Sequence, residues 1–111
     1  MNVTRFDAAP AYYPPGHDGM RCLRLQGHEA GASSDLWLGV SVILPGGSTT
    51  QDAAMVEKHY VVLEGAVTIS ASGERVVLGQ YDSIRLAPGE ARKVENTGNR
   101  PALLLLAMPH V

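Results

Sequence analysis

Apolar and polar positions alternate along most of this chain with the period of two that a β-strand imposes, and no apolar pattern of helical period lasts for three turns. Arg21 to Gln26 alternates charged and apolar side chains, the signature of a strand with one wet face. Trp37 to Leu44 (WLGVSVIL) is apolar at nearly every position and rich in Val and Ile, which predicts a strand buried on both faces. Pro45-Gly46-Gly47 is expected to break it. Met55 to Leu63 reads as the next strand and runs into a turn at Gly65, after which Ala66 to Ser70 returns and Ser72-Gly73 turns into Glu74 to Leu78. Ser83 to Leu86, a corner at Pro88-Gly89 and Ala91 to Asn96 follow; a loop over Thr97 to Pro101 leads to Ala102 to Met108, which carries four consecutive leucines. About eight short strands separated by turn signals predict an all-β sandwich or barrel.

Two segments stand outside this rhythm. The first contains Pro10, Pro14 and Pro15 with Tyr12 and Tyr13 between them, so residues 1–20 are expected to form an extended arm rather than a helix, lying over the domain or its partner. Residues 21–111 then form the barrel domain. The second, His28 to Asp35, is a loop of small and polar residues.

At 111 residues the chain fits one domain with a real core. Its formal net charge of -2 gives no basic footprint, so nucleic acid is not expected as a partner. The single cysteine, Cys22, excludes an internal disulfide and reads as a buried thiol in a reducing compartment. No apolar run approaches the roughly 20 residues of a membrane span, and the opening MNVTRFDAAP has neither the basic head nor the apolar core of an export signal. No membrane partner and a cytoplasmic location are the expectations. Open strand edges and an arm bearing two tyrosines point to a homodimer.

Two spacings carry a resemblance. Gly46, then positions 52, 54 and 58, then Gly65 reproduce a pattern of Gly, five residues, His-x-His, three residues, Glu, six residues, Gly. Gly89 and Asn96, with Pro88 adjacent, fall into a second pattern of Gly, five residues, Pro-x-Gly, two residues, His, three residues, Asn, and YVVLEG is a familiar phrase beside them. In these features the chain resembles the small single-domain cupins, RmlC-like proteins of the cupin-2 type. The resemblance implies a cupin double-stranded β-helix, or jelly-roll barrel, with chemistry in its interior.

The resemblance also implies where metal ligands would stand, and there the chain departs from the pattern. Asp52 and Ala54 replace the two His of the first motif, Lys58 its Glu, and Arg92 the His of the second, while Tyr81 and Ala87 replace that motif's Gly and Pro. Alanine has no donor atom, and protonated Lys and Arg have no lone pair to give and add positive charge. No metal and no other cofactor is therefore expected, and metal-dependent dioxygenation or oxalate oxidation is not carried over. A bulge that slipped the strand by one residue would turn Glu57 and His59 inward and begin a non-standard metal site. His17, His28 and His110 lie in loops or at the terminus with no ligand spacing between them.

If the family spacing holds, Asp52, Lys58 and Arg92 face the barrel interior from different strands, with Tyr60 on the face of Lys58. The excess positive charge predicts a small organic acid or similar anion as ligand, bound by Asp52, Lys58 and Arg92. Burial and the neighbouring guanidinium would lower the pKa of Lys58 enough for it to remove a proton next to a carbonyl, with Tyr60 or Arg92 steadying the oxyanion. This is metal-independent isomerase, dehydratase or lyase chemistry, with Lys58, Arg92 and Tyr60 as catalytic groups. The alternative is a binding or purely structural barrel in which Asp52 neutralises one cation of a vestigial pocket. Trp37 could offer a sugar a stacking face, but its place in an apolar strand marks it as core.

Overall fold

In the computed structural model, which describes residues 1–110, the β-branched and aromatic runs form nine strands. They are β1 (Ala11–Tyr12), β2 (His17–Gln26), β3 (Leu36–Thr49), β4 (Lys58–Glu64), β5 (Val67–Ala71), β6 (Glu74–Leu78), β7 (Ser83–Leu86), β8 (Arg92–Glu95) and β9 (Ala102–Pro109). Every pairing is antiparallel, in the order β6-β5-β8-β3-β9-β4-β7, with β2 beside β3 and β1 beside β2. The sheet curls on itself into a nearly closed jelly-roll barrel. No helix is long and apolar enough to cross a membrane among the described residues.

Strand β3 makes the curl. Its first part, Leu36 to Ile43, pairs with β9, whereas Ser48 pairs with Glu95 of β8. The Pro45-Gly46-Gly47 segment therefore does not end the strand, contrary to the sequence expectation; it bends it. Gly46 takes a φ of +82°, open to glycine and costly for other residues, and its N–H donates to the Asn96 carbonyl at 2.9 Å. The chain thus passes from one face of the barrel to the other with its ladder kept.

Two further boundaries differ from the sequence expectation. Strand β4 starts at Lys58 rather than Met55, the preceding residues forming a loop. Strand β2 starts at His17, because the backbone there finds Thr49 at the far end of β3 as its partner. The N-terminal arm is extended apart from one 3-10 turn at Phe6–Ala8, upstream of the prolines, and it lies on its own barrel: Ala11 pairs with Leu23 and Tyr12 with Cys22.

Alternation along the strands sorts two apolar layers. Ile43, Tyr60, Val62, Val67, Ile69, Leu78, Leu86, Val94, Ala102 and Leu104 fill the interior, one contribution or more from each of β3 to β9. On the other side of the sheet, Leu23 and Val40 are covered by Ala9 of the arm. The corner beside β8 is tied by Asn96, which is only 2% exposed. Its Nδ2 donates to the carbonyls of Ile43 (2.9 Å) and Arg100 (2.7 Å), and its Oδ1 accepts from the Gly98 N–H (3.0 Å). Asparagine, with donors and an acceptor on one short side chain, satisfies all three at once.

Candidate functional site

Strands β2, β3, β4, β8 and β9 and the arm enclose a cavity of about 130 Å³, lined by Tyr12, Pro14, His17, Met20, Trp37, Ser41, Thr49, Lys58, Tyr60, Arg92, Val94, Leu104, Leu106 and Met108. The period of two explains the membership. Lys58 and Tyr60 share the inner face of β4, while Leu104, Leu106 and Met108 share that of β9. Gly39 between Trp37 and Ser41 lets the indole fold down, since a Cβ there would come within 2.7 Å of the Trp37 ring and 3.3 Å of the Tyr12 hydroxyl.

Register decides which charges enter. Across β4 and β9 the partners run His59 to Ala107, Tyr60 to Leu106, Val61 to Leu105 and Val62 to Leu104, with a shift only between Val62 and Glu64. The one-residue slip that would have turned Glu57 and His59 inward is absent. His59 is exposed, Nε2 lying 3.6 Å from Glu57, which also pairs with Arg85 at 2.5 Å on the outer surface. Among the described residues no cluster of three or more His, Cys, Asp or Glu could hold a metal ion. At the four positions where the sequence motifs would place ligands stand Asp52, Ala54, Lys58 and Arg92, and that donor set does not fit a divalent ion.

Arg92 is 5% exposed, and its Nε–H donates to the Tyr60 hydroxyl at 3.0 Å. Its terminal nitrogens make no hydrogen bond and no ion pair among the described residues, and neither does the Lys58 ammonium. Because Tyr60 accepts from Arg92, its own O–H is free to donate into the cavity. Burial, reinforced by the Arg92 charge and opposed by Asp52, lowers the Lys58 ammonium from 10.5 to about 8.

Asp52 is the sequence-predicted residue that the structure keeps out of the cavity. Its backbone bridges Arg92 in both directions, at 3.0 and 2.9 Å, but its carboxylate turns back to accept the Ala53 N–H at 2.8 Å and remains exposed at the rim. No carboxylate lines the cavity, so the two cations share it without a neutralising partner in it.

Three lining residues carry chemistry that sequence reasoning left in loops or core. Tyr12 and Trp37 meet edge to face at 5.8 Å, and the Arg24 guanidinium lies over both rings at 3.6 and 4.3 Å, held there by Glu29. Trp37 is buried as expected and is also cavity wall. His17, at the start of β2, hydrogen-bonds through Nδ1 to the Pro15 carbonyl at 2.9 Å. The Pro-Pro-Gly run before His17 was the available signal, marking a tight, fixed entry into a strand.

Comparisons with known proteins agree with this architecture. Residues 39–108 match the family described as Cupin domain. A protein of Mycobacterium tuberculosis named Beta-D-galactosidase Rv1717 is 42% identical over 110 residues, which cover 99% of this chain and 95% of the relative. The polyketide cyclase RemF from Streptomyces resistomycificus superimposes with a TM-score of 0.86 at 21% identity, covering 98% of this chain and 79% of that one. A predicted oxalate decarboxylase from Thermotoga maritima superimposes with a TM-score of 0.83 at 22% identity, covering both chains fully (100% of each). At such identities the two structures speak for the fold alone.

Proposed function

The chain belongs to the cupin domain family, and we propose that within it this barrel is a metal-independent binder of a small carboxylate-bearing acid, on which it performs proton transfer. The observation that carries this reading is the pair of unneutralised cations, Lys58 and Arg92, in a cavity that no carboxylate lines. Unpaired buried charge is costly, and an anionic ligand is what removes the cost. Arg92 offers its free terminal nitrogens as a planar fork to a carboxylate, with Lys58 as a second point of charge. The Tyr60 O–H, directed by the Arg92 bond, is placed to donate to an oxyanion that develops when a proton leaves the carbon beside a carbonyl. With its pKa at about 8, about a tenth of Lys58 is free amine at pH 7 and able to take such a proton. The cavity is smaller than the roughly 300–1,000 Å³ of sites for drug-sized ligands, which suits a ligand of few heavy atoms.

A second reading is favoured by the relative's name together with the Tyr12–Trp37 wall: a galactoside ligand, its ring against the aromatics. Glycosidases ordinarily flank the scissile bond with two carboxyl groups, and this cavity is lined by neither Asp nor Glu. Hydrolysis here would need another proton donor.

Thermal stabilisation by malonate, D-galacturonate and D-galactose separates the readings. At a hundred times its Kd a ligand adds about 2.7 kcal/mol to native stability. The first reading expects stabilisation by the two acids, none by D-galactose, loss of the effect in Arg92→Met, and deuterium uptake from heavy water next to the carbonyl of a bound keto acid. Stabilisation by D-galactose alone, or cleavage of a chromogenic β-galactoside that Arg92→Met abolishes, would replace it with the second. Silence from all ligands would leave a structural barrel.

A further inference from the structure

His17 lines the same cavity as Lys58 and Arg92. A carbonyl oxygen only accepts, so the 2.9 Å contact from His17 Nδ1 to the Pro15 carbonyl requires the proton on Nδ1 and leaves Nε2 of the neutral ring with an open lone pair. Nε2 makes no hydrogen bond to any described residue. The Pro15 bond holds the ring and the pairing of His17 with Thr49 holds its backbone, so the lone pair has a fixed place. This matters to the site because a bound carboxylate beside Lys58 draws that amine back towards the ammonium form. The share of Lys58 that is free amine in the empty pocket is thereby reduced when the pocket fills.

We propose that His17 is the proton acceptor of the filled pocket: as an anion settles between Lys58 and Arg92, the Nε2 lone pair takes up a proton and the ring becomes imidazolium. The inference rests on the anion-pocket reading above. The new N–H bond forms from the Nε2 lone pair, the proton comes from bulk water on binding, and the Nδ1–H to Pro15 persists through the change. The charges around the ring agree with this order of events. Burial lowers the His17 pKa first; Arg92 and Lys58 lower it further, while the Pro15 bond and the Asp52 carboxylate at the rim raise it. Asp18 beside it and Lys93 across the outer groove are the other charged groups at that end of β2. An anion that offsets Arg92 and Lys58 removes the charge repulsion that adds to burial in opposing protonation, and leaves an acid poised next to the ligand.

Long-range proton–nitrogen NMR on the full chain with labelled histidine tests this, with malonate as the probe. Without ligand, the His17 ring is expected to be protonated at Nδ1 and bare at Nε2, titrating below the ordinary 6.5. Saturating malonate should raise its midpoint by about one pH unit, and Lys58→Met should raise it in the absence of any ligand. An Nε2–H tautomer in the free protein, or a midpoint unmoved both by bound malonate and by Lys58→Met, would overturn the assignment while leaving the anion pocket standing. Failure of malonate and D-galacturonate to bind would overturn the pocket and the ligand-driven uptake together.

Discussion

Replacing Lys58 by methionine should make the protein more stable at neutral pH and no more stable in alkali. Methionine keeps the apolar stem that lies against the cavity wall and deletes the ammonium. Lowering a lysine from 10.5 to about 8 corresponds to at most about 3.5 kcal/mol at roughly 1.4 kcal/mol per tenfold change in proton affinity. The ammonium is partly open to solvent, so screening reduces this to about 1–2 kcal/mol. The sign follows from proton counts. Below pH 8 native and unfolded chains both hold the proton and the full penalty falls on the native state. Between pH 8 and 10 the unfolded chain holds more of it, so wild-type stability climbs towards that of the variant. Above pH 10 Tyr12, whose phenol burial keeps protonated in the fold, acts in the opposite direction, which makes pH 8 to 10 the clean window. Urea unfolding followed by circular dichroism at pH 7, 8, 9 and 10 measures the difference directly. The variant should lead by about 1–2 kcal/mol at pH 7, equivalent to roughly 4–10 °C in Tm, and most of the lead should be gone by pH 10. A variant less stable than wild type at pH 7, or a difference flat across the range, would refute the view that Lys58 sits in the pocket as an unneutralised cation.

Two further substitutions probe the frame. Asn96→Ala removes three hydrogen bonds from a buried corner, so it should cost about 2–4 kcal/mol in urea unfolding. Tyr81, 74% exposed, holds a φ of +69°, the left-handed region that costs a residue with a Cβ about 1 kcal/mol. Tyr81→Gly should therefore leave stability equal or raise it by up to about 1 kcal/mol, and a loss beyond 1 kcal/mol would show that the phenol ring makes contacts that outweigh the backbone strain.

The position of Tyr81 shows what kind of information the sequence carried. The second motif asks for glycine there, and the structure shows why: the backbone is left-handed at that point whatever residue occupies it. Gly46 and Gly89 were legible for the same reason, and Asn96 because its side chain ties a backbone corner, none of them being fixed by ligands. Lys58, Tyr60 and Arg92 could be placed on the inner face because strand alternation leaves one choice once the register is set. Asp52 could not, because the Ala53 N–H at the rim takes its carboxylate, a contact that spacing does not encode. The continuation of β3 through Pro45-Gly46-Gly47 was hidden because the residues that normally end a strand also bend one when partners wait on the far side. Tyr12 and His17 were missed for a longer-range reason. Their partners, Cys22 and Thr49, lie 10 and 32 residues on, and no local pattern records such a pairing.

The wall built by Tyr12, Pro14, His17 and Met20 lies wholly outside the stretch that matches the family, residues 39–108. Two cupins can thus agree throughout that shared stretch and still present different chambers, as vessels cut from one mould take different contents when one stave is changed. Part of what distinguishes relatives then lies in a strip of chain that the shared stretch leaves out, and swapping residues 1–20 becomes a compact way to re-line one wall of the chamber.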